Sequence, residues 1–510
     1  MDTPPLPPVL AGYPTPRRSR AWDEALARAA DGSGAGRASV ADGRPGVRDT
    51  YGPLVRTIGA LPGGGLLDRA AALARRHADR GITFALEGER RPFPLDPFPR
   101  IVDAAEWTVL AQGLAQRVRA LEMFLADVYG AQQIMADGVV PAELVTSCPQ
   151  FVPGLVGLVP PTGVRVHVAG IDVIRDHTGT LRVLEDNLRS PSGASYALEN
   201  RAAMTSVTPE LFEGYAVAPV GDYPGRLLAV LRAAAPPTAT DPTVVVLTPG
   251  GAGGAAVEHE LLARLMGVPL VRGTDLVVRD SVLHLRRAGR TEQRVDVVYR
   301  RVDDEYLDPR EFDGRPVHGV AGLMGAARAG NIALANAVGN GIADDKGVYT
   351  YVPDMIRYYL GERPLLPNVE TVRCWVPEER ADALSRMDEL VFKPVEGYGG
   401  HGIVFGPSAD DAVLGRLRAR VEADPRGWVA QPIVDLSTVP TLVGDRLAPR
   451  HVDLRPFVLN DGRSTWVLPG GLTRVALPAD SLVVNSAQGG GSKDTWVLTD
   501  PEPPLPPASP

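Results

Sequence analysis

Residues 181–201 read LRVLEDNLRSPSGASYALENR, and just before them residues 164–176 read VRVHVAGIDVIRD. Both begin as apolar, β-branched runs and are joined by HTGT at 177–180, the pattern of two strands and a tight turn. Alternation places Glu185 and Asn187 on one face of the second strand. A hairpin would set Asp172 beside them. Two carboxylates and an amide oxygen are hard ligands of the kind Mg²⁺ takes, able to hold cations that bridge nucleotide phosphates; a solvated acidic turn is the alternative. Arg189, Ser190, Ser192 and Gly193 follow within a few residues. Hydroxyls and a guanidinium beside a cation suit an anionic substrate, although a Ser/Pro/Gly turn with an exposed arginine has the same composition. A helix is expected near Tyr196–Met204.

A second constellation lies far along the chain. Among 53 basic residues only Lys346, Lys393 and Lys493 are lysine. Arginine is evidently favoured by the coding bias, so a retained lysine suggests a place that needs a compact ammonium and not a planar fork. Lys393 leaves an apolar strand and is followed by a glycine-rich turn, FKPVEGYGGHG at 392–402. Glu396, Gly397, Gly399, Gly400 and Gly402 are therefore assigned to the nucleotide, with backbone N–H groups lining phosphate oxygens. It is not a Walker A loop, since no Gly-Lys-Ser/Thr closes it. Lys346 follows two glycines and two aspartates in NAVGNGIADDK. Gln431, in WVAQPIV, is placed to read an adenine edge or to satisfy an edge strand. Asp453 and Arg455 share one face of HVDLRPFVL, where Arg455 could stabilise phosphate or an oxyanion, a cross-strand ion pair being the alternative. Lys493 is expected on the surface, where exchange for Arg would be nearly silent.

These segments, with VVYRRVDDEYLDP at 297–309 and the run from Asn336 to Glu362, resemble the circularly permuted ATP-grasp proteins of type 2, in particular the synthetase domain of glutathionylspermidine synthetase. The likeness extends from about Arg80 to Leu498. It implies an α/β (α+β) fold with two nucleotide-gripping subdomains, plus helical and α/β substrate-binding regions. It implies ATP and Mg²⁺ as cofactors, metal ligation by Asp172, Glu185 and Asn187, phosphate contacts from Lys346 and Lys393, and carboxylate binding by Ser190 and Ser192. The lysines follow the metal ligands in the chain, which is the permuted order. The implied reaction joins a small-molecule or peptide carboxylate to an amine through an acyl phosphate, releasing ADP and phosphate. One departure stands out: the family's arginine two residues before the metal-binding aspartate is Gly170 here, leaving Arg175 or Arg189 to substitute. Arg189, Ser190, Ser192 and Arg455 are the expected catalytic residues.

Around these motifs the chain divides into a disordered Pro/Gly/Arg-rich tail (1–50, with one helix around Trp22–Ala30), a mainly helical region (51–150), the metal-ligand half (151–235), an α/β substrate-binding region (236–340), the lysine half (341–500) and a Pro-rich tail (501–510). Residues 104–130 carry the strongest amphipathic helix, FPLDPFPRI at 93–101 reads as a connector, and 319–340 reads as helical. A net charge of −8 argues against a broad nucleic-acid surface. Two cysteines exclude a disulfide framework and suggest a cytoplasmic protein, and no signal peptide or membrane span is expected. Two rivals remain: a non-catalytic ATP-binding scaffold, and a NAD(P)-dependent oxidoreductase. The latter rests on TVVVLTPG running into Gly251, Gly253 and Ala256, with Asp275 beyond.

Overall fold

The computed structural model describes residues 10, 13, 21–27, 46–62, 65–86, 89–251, 254–286, 291–397, 402–478, 484 and 490–499. In chain order, strand β1 (Leu95–Val102) is followed by helix α1 (Ala104–Val128), hairpin strands β2 (Val168–Arg175) and β3 (Leu181–Asn187), and helices α2 (Ala194–Val207) and α3 (Tyr223–Ala233). A parallel unit comes next: β4 (Val244–Leu247), α4 (Gly254–Met266), β5 (Leu270–Val271), β6 (Val297–Arg300) and β7 (Ala333–Ala335). The remainder supplies β8 (Val372–Arg373), β9 (Leu390–Pro394), β10 (Val404–Phe405), β11 (Trp428–Pro432), β12 (Thr438–Val443), β13 (Arg446–Arg455), β14 (Phe457–Asn460), β15 (Thr465–Val467), β16 (Leu472–Val475) and β17 (Gly491–Val497).

These strands build a mixed α/β architecture on three main sheets. A nine-stranded sheet runs β15-β14-β2-β13-β16-β17-β1, with β3 paired to β2 and β12 to β13. Its strands come from residues 95–102, 168–187 and 438–497, so the 51–150, 151–235 and 341–500 regions of the sequence share one sheet, while 236–340 adds no described strand to it. A parallel four-stranded sheet has the order β7-β6-β4-β5, and an antiparallel one the order β8-β11-β9-β10. Helix α1 starts where the Asp103 carboxylate accepts the Glu106 N–H at 2.8 Å. Its Leu110, Leu114, Val118, Leu121, Leu125 and Val128 recur every three or four residues and are buried. The same buried face carries Arg117, whose guanidinium grips both oxygens of Asp186 on β3 at 2.6 Å. That bidentate contact fixes the hairpin against the helix. Asn336, just past β7, accepts the N–H groups of His167 and Val168 and donates to the carbonyls of Val168 and Leu188, tying the parallel unit to the same hairpin.

Three expectations are corrected. The supposed connector is strand β1, buried along its whole length. Its prolines at 97 and 99 are tolerated because β1 ends the main path of the sheet, where one side needs no ladder N–H. Residues 319–340 hold only a short helix, Leu323–Arg328, before the chain enters β7. There the small side chains of Ala333 and Ala335 pack under a parallel sheet, which overrides their helix propensity. Finally, residues 21–27 and 46–50 belong to the fold, not to a tail. Residues 22–25 form no helix, and Leu26–Ala27 pairs with Gly46–Val47. Asp23 and Glu24 are buried, and Glu24 takes Arg100 at 2.6 and 2.8 Å and Arg175 at 3.1 Å. No helix among the described residues is long and apolar enough to cross a membrane.

Lys493 is likewise not on the surface. It lies fully buried in β17, and its ammonium meets three acceptors: Asp96 Oδ1 at 2.5 Å, Phe98 O at 2.9 Å and Pro440 O at 2.8 Å. An ammonium has three N–H donors, so the site is saturated. Arginine would bring a wider group into a filled space. Replacing Lys493 by Met should therefore destabilise the fold by about 3–5 kcal/mol, because Asp96 loses its buried counter-charge. Lys493→Arg should also destabilise it. Urea titration of both variants checks this; wild-type midpoints would contradict it.

Candidate active site

The β2–β3 hairpin pairs Asp172 with Glu185 and Gly170 with Asn187. A register shift after Asp172 makes Val173 face Val183. Such a bulge turns the strand locally. Glu185 and Asn187 thus share one face, while Asp186 points the other way into Arg117. Asp172 has no exposed surface. Arg455, ending β13, donates to its two oxygens at 2.5 and 2.7 Å, and Arg474 on β16 donates at 2.7 Å. Arg474 also pairs with Asp453, directly opposite it in the sheet. Arg455 lies 3.7 Å from Glu185. Burial alone would raise the Asp172 carboxyl, but Arg455 and Arg474 hold it well below the usual carboxylate range. Burial, and then the Asp172 charge, push Glu185 the other way, upward.

Gly170 explains the missing arginine. A Cβ there would come within 2.9 Å of Pro191 Cβ and 3.3 Å of Arg455 Cδ. The neighbouring strand delivers Arg455 into the space a side chain at 170 would need. Neither substitute expected from the sequence does so. Arg175 is bound to Glu24 and Glu106 in the core. Arg189 turns to Asp303 at 3.4 Å and to Gln150 at 3.3 Å.

Opposite the hairpin stand the lysines. Lys346 opens a short helix capped by Asp345, whose carboxylate accepts the N–H groups of Gly347 and Val348 at 2.7 and 3.0 Å. Its ammonium donates to Gly397 O at 3.2 Å. Lys393 leaves β9 and donates to Gln431 Oε1 at 2.6 Å, and the Gln431 amide donates onward to Thr371 Oγ1 at 2.8 Å. Each end of Gln431 thus has one partner inside the protein, and its oxygen steadies Lys393. Burial pushes Lys393 down to about 8, with Glu185 opposing and Lys346 assisting the shift. Glu185 in turn feels Lys346. The two lysines and Glu185, some 160 to 210 residues apart in sequence, thus lie within electrostatic reach of one another.

The remaining expected residues are placed as follows. Asn187 Nδ2 and Ser190 Oγ are buried without a hydrogen-bond partner in the protein. Ser192 is exposed, and its carbonyl accepts Arg455 at 3.4 Å. Glu396 and Gly397 are exposed after β9. Gly402 sits at φ +75°, and a Cβ there would come within 3.0 Å of Pro394 Cγ. Gly399 and Gly400 lie outside the described residues. Asp275 accepts the Arg272 N–H at 2.8 Å within its own turn, so it is spent on local structure and not held at a strand end as a ribose-binding acid would be. Arg474 was missed by sequence reasoning; its only signal was an arginine inside the apolar run LTRVAL at 472–477.

A family model for circularly permuted ATP-grasp type 2 matches residues 99–476. An uncharacterized protein of Mycobacterium tuberculosis is 58% identical over 452 residues, covering 89% of this chain and 82% of that one. A Synechocystis protein is 51% identical over 422 residues, 82% of this chain and 88% of its own length. A Frankia alni protein named "Putative glutamate--cysteine ligase 2-3" is 48% identical over 468 residues, 91% of this chain but 54% of its own length. Among solved structures, a glutathione synthetase-like effector of Globodera pallida in its apo form superposes with a TM-score of 0.56 at 10% identity, over 85% of this chain and 97% of that one. At that identity the likeness concerns the fold alone.

The arginine cluster sets an order of stabilities. Arg474→Met leaves the buried Asp453 without a partner and should cost about 3–5 kcal/mol. Arg455→Met should cost less, because Asp172 keeps Arg474. Denaturant titrations that reverse this order would contradict the described network.

Proposed function

The chain belongs to the circularly permuted ATP-grasp type 2 family, and we propose that it is an ATP-dependent ligase that activates a carboxylate as an acyl phosphate and passes it to an amine. The observation that carries this reading is that Lys346 and Lys393 lie within electrostatic reach of Glu185 on the hairpin, while Arg455 stands 3.7 Å from Glu185 and grips Asp172. Two ammonium groups and a guanidinium suit a triphosphate. Glu185 and Asn187 are the residues that fit a divalent cation: a carboxylate oxygen and an amide oxygen offered from one face of β3. Asp172 fits less directly, because both of its oxygens are already held by arginine. It joins the set only if Arg455 turns from Asp172 to phosphate. Mg²⁺, when bound, supplies charge neutralisation between phosphate oxygens.

The protein's own part is to hold charge in place. Lys393, held by Gln431, presents a compact charge at a low-dielectric wall. Arg455, once released from Asp172, can face the transferring phosphoryl group and then the oxyanion that forms when the amine attacks. Ser190 and Ser192, on the loop beyond Asn187, offer hydroxyls for the carboxylate. The same-length relatives give no substrate, and the ligase name in Frankia belongs to a protein of which this chain spans about half. The substrates are taken to be small carboxylates and amines.

With Mg-ATP, a carboxylate pool and hydroxylamine in place of the amine, the chain should release ADP and phosphate in equal amounts and form a hydroxamate. AMP and pyrophosphate as the main products would rule this mechanism out. Glu185→Gln and Asn187→Ala should abolish turnover with the fold intact by circular dichroism.

Lys393→Arg should lose most activity despite keeping its charge. In the wild type, affinity for ATP should weaken as pH rises through about 8, where Lys393 gives up its proton and the neutral amine no longer attracts phosphate. Full activity in Lys393→Arg, or affinity that strengthens across that range, would show that Lys393 is not a phosphate contact.

A further inference from the structure

The parallel sheet contains a switch point that the proposed ligase chemistry leaves unused. From β4 the chain moves outward to β5, then returns to the other side of β4 for β6 and β7. The crevice at the carboxyl ends of β4 and β6 is where open α/β sheets bind ligands. Thr248 follows β4 and Arg301 follows β6, while Glu258 and His259 come from α4, and Tyr223 opens α3. The loop after the hairpin closes onto this crevice: the Gly193 N–H donates to Glu258 Oε1 at 2.6 Å, and Arg301 Nη2 reaches Ser190 O at 3.5 Å.

The polar groups here are not satisfied by one another. Arg301, with its side chain 2% exposed, donates to Tyr299 Oη at 3.2 Å and stands 3.8 Å from Glu258 Oε2, beyond hydrogen-bonding distance, while its Nε has no partner. The Tyr223 hydroxyl, fully buried and within electrostatic reach of Glu258 and Arg301, has none either, nor has Ser190 Oγ. Buried donors without acceptors are rare in folded proteins and ask for an explanation. Two of them, Arg301 Nε and the Tyr223 hydroxyl, beside a half-used carboxylate match one ligand chemistry: a carboxylate for the donors and an ammonium for Glu258.

We propose that this crevice binds the amino-acid end of a dicarboxylic α-amino acid, its α-carboxylate on Arg301 and Tyr223 and its α-ammonium on Glu258, while its second carboxylate extends past Ser190 to the Asp172–Glu185 edge. The proposal rests on the ligase reading and names its carboxylate substrate. Entry of the substrate opens the Gly193–Glu258 contact, and its ammonium then takes the place of the Gly193 N–H.

The test uses the full chain with Mg-ATP and hydroxylamine and three matched pairs: L-aspartate and succinate, L-glutamate and glutarate, L-2-aminoadipate and adipate. One amino acid should give ADP and its hydroxamate, with its deamino partner lower by roughly a hundredfold or more in kcat/KM, as for a site built around a polar group. Arg301→Gln should raise KM for that amino acid at least about tenfold while leaving the melting shift with Mg-ATP unchanged. Tyr223→Phe removes only a hydroxyl that has no partner in the protein, so it should raise KM while keeping or raising the melting temperature; a merely structural tyrosine would not raise KM. Equal use of a deamino partner, a carboxylate without an amino group as the sole substrate, or wild-type KM in both variants would overturn the crevice assignment and leave the ligase reading standing. ADP release that no carboxylate of any kind stimulates would overturn both.

Discussion

A carboxylate with no exposed surface, Asp172, sits in an interior strand of a nine-stranded sheet and is held there by two guanidinium groups from two other strands. Taking one of those cations away would leave a buried charge short of a partner, which is among the costliest changes a core can suffer. The arrangement ties residues 172, 455 and 474 together although about 300 residues of chain separate the first from the others. It also decides what the proposed site can do. The Asp172–Arg455 contact is strong, and any cation or phosphate must compete with it, so ligand binding and rearrangement of Arg455 are one event.

The nearby contacts can be understood from this centre. Glu185 faces Asp172 because of the hairpin register, and its neighbour Asp186 is locked to Arg117 on the opposite side. The two lysines meet the hairpin across space and not through the main sheet: Lys393 belongs to the separate sheet of β8 to β11, and Lys346 to a short helix beside it. Two gripping surfaces of different origin thus enclose one region of alternating charge. That arrangement suits a polyanionic ligand with bound cations better than it suits either alone.

Much of this was legible in the residues. The hairpin, the alternation that aligns Glu185 with Asn187, the strand-borne Lys393 and the long helix at 104–128 all rest on local patterns, which a single sequence carries. Arg474, Arg301 and the Glu24 pairs were not legible, because an arginine in an apolar strand says only that some partner exists, not which one. Lysine scarcity drew attention to Lys346 and Lys393, but it could not tell a phosphate site from a buried structural one, and Lys493 was expected on the surface. Lys493 has the same chemical requirement as Lys393 and meets it with backbone carbonyls and Asp96. The early residues 21–27 looked like tail because their composition is that of tail; their burial depends on partners at 100, 175 and 438.

The length of the hairpin turn at residues 177–180 bears on the site. Side chains alternate across a strand, so adding or removing a single residue in that turn would slide β3 by one position and exchange its two faces. Asp186 would then face the lysines, and Glu185 and Asn187 would be driven toward Arg117 and the helix. A change in pairs would restore the faces but carry Glu185 roughly 7 Å along the strand from Asp172. A surface turn that touches nothing in the site therefore sets the register of the site beneath it.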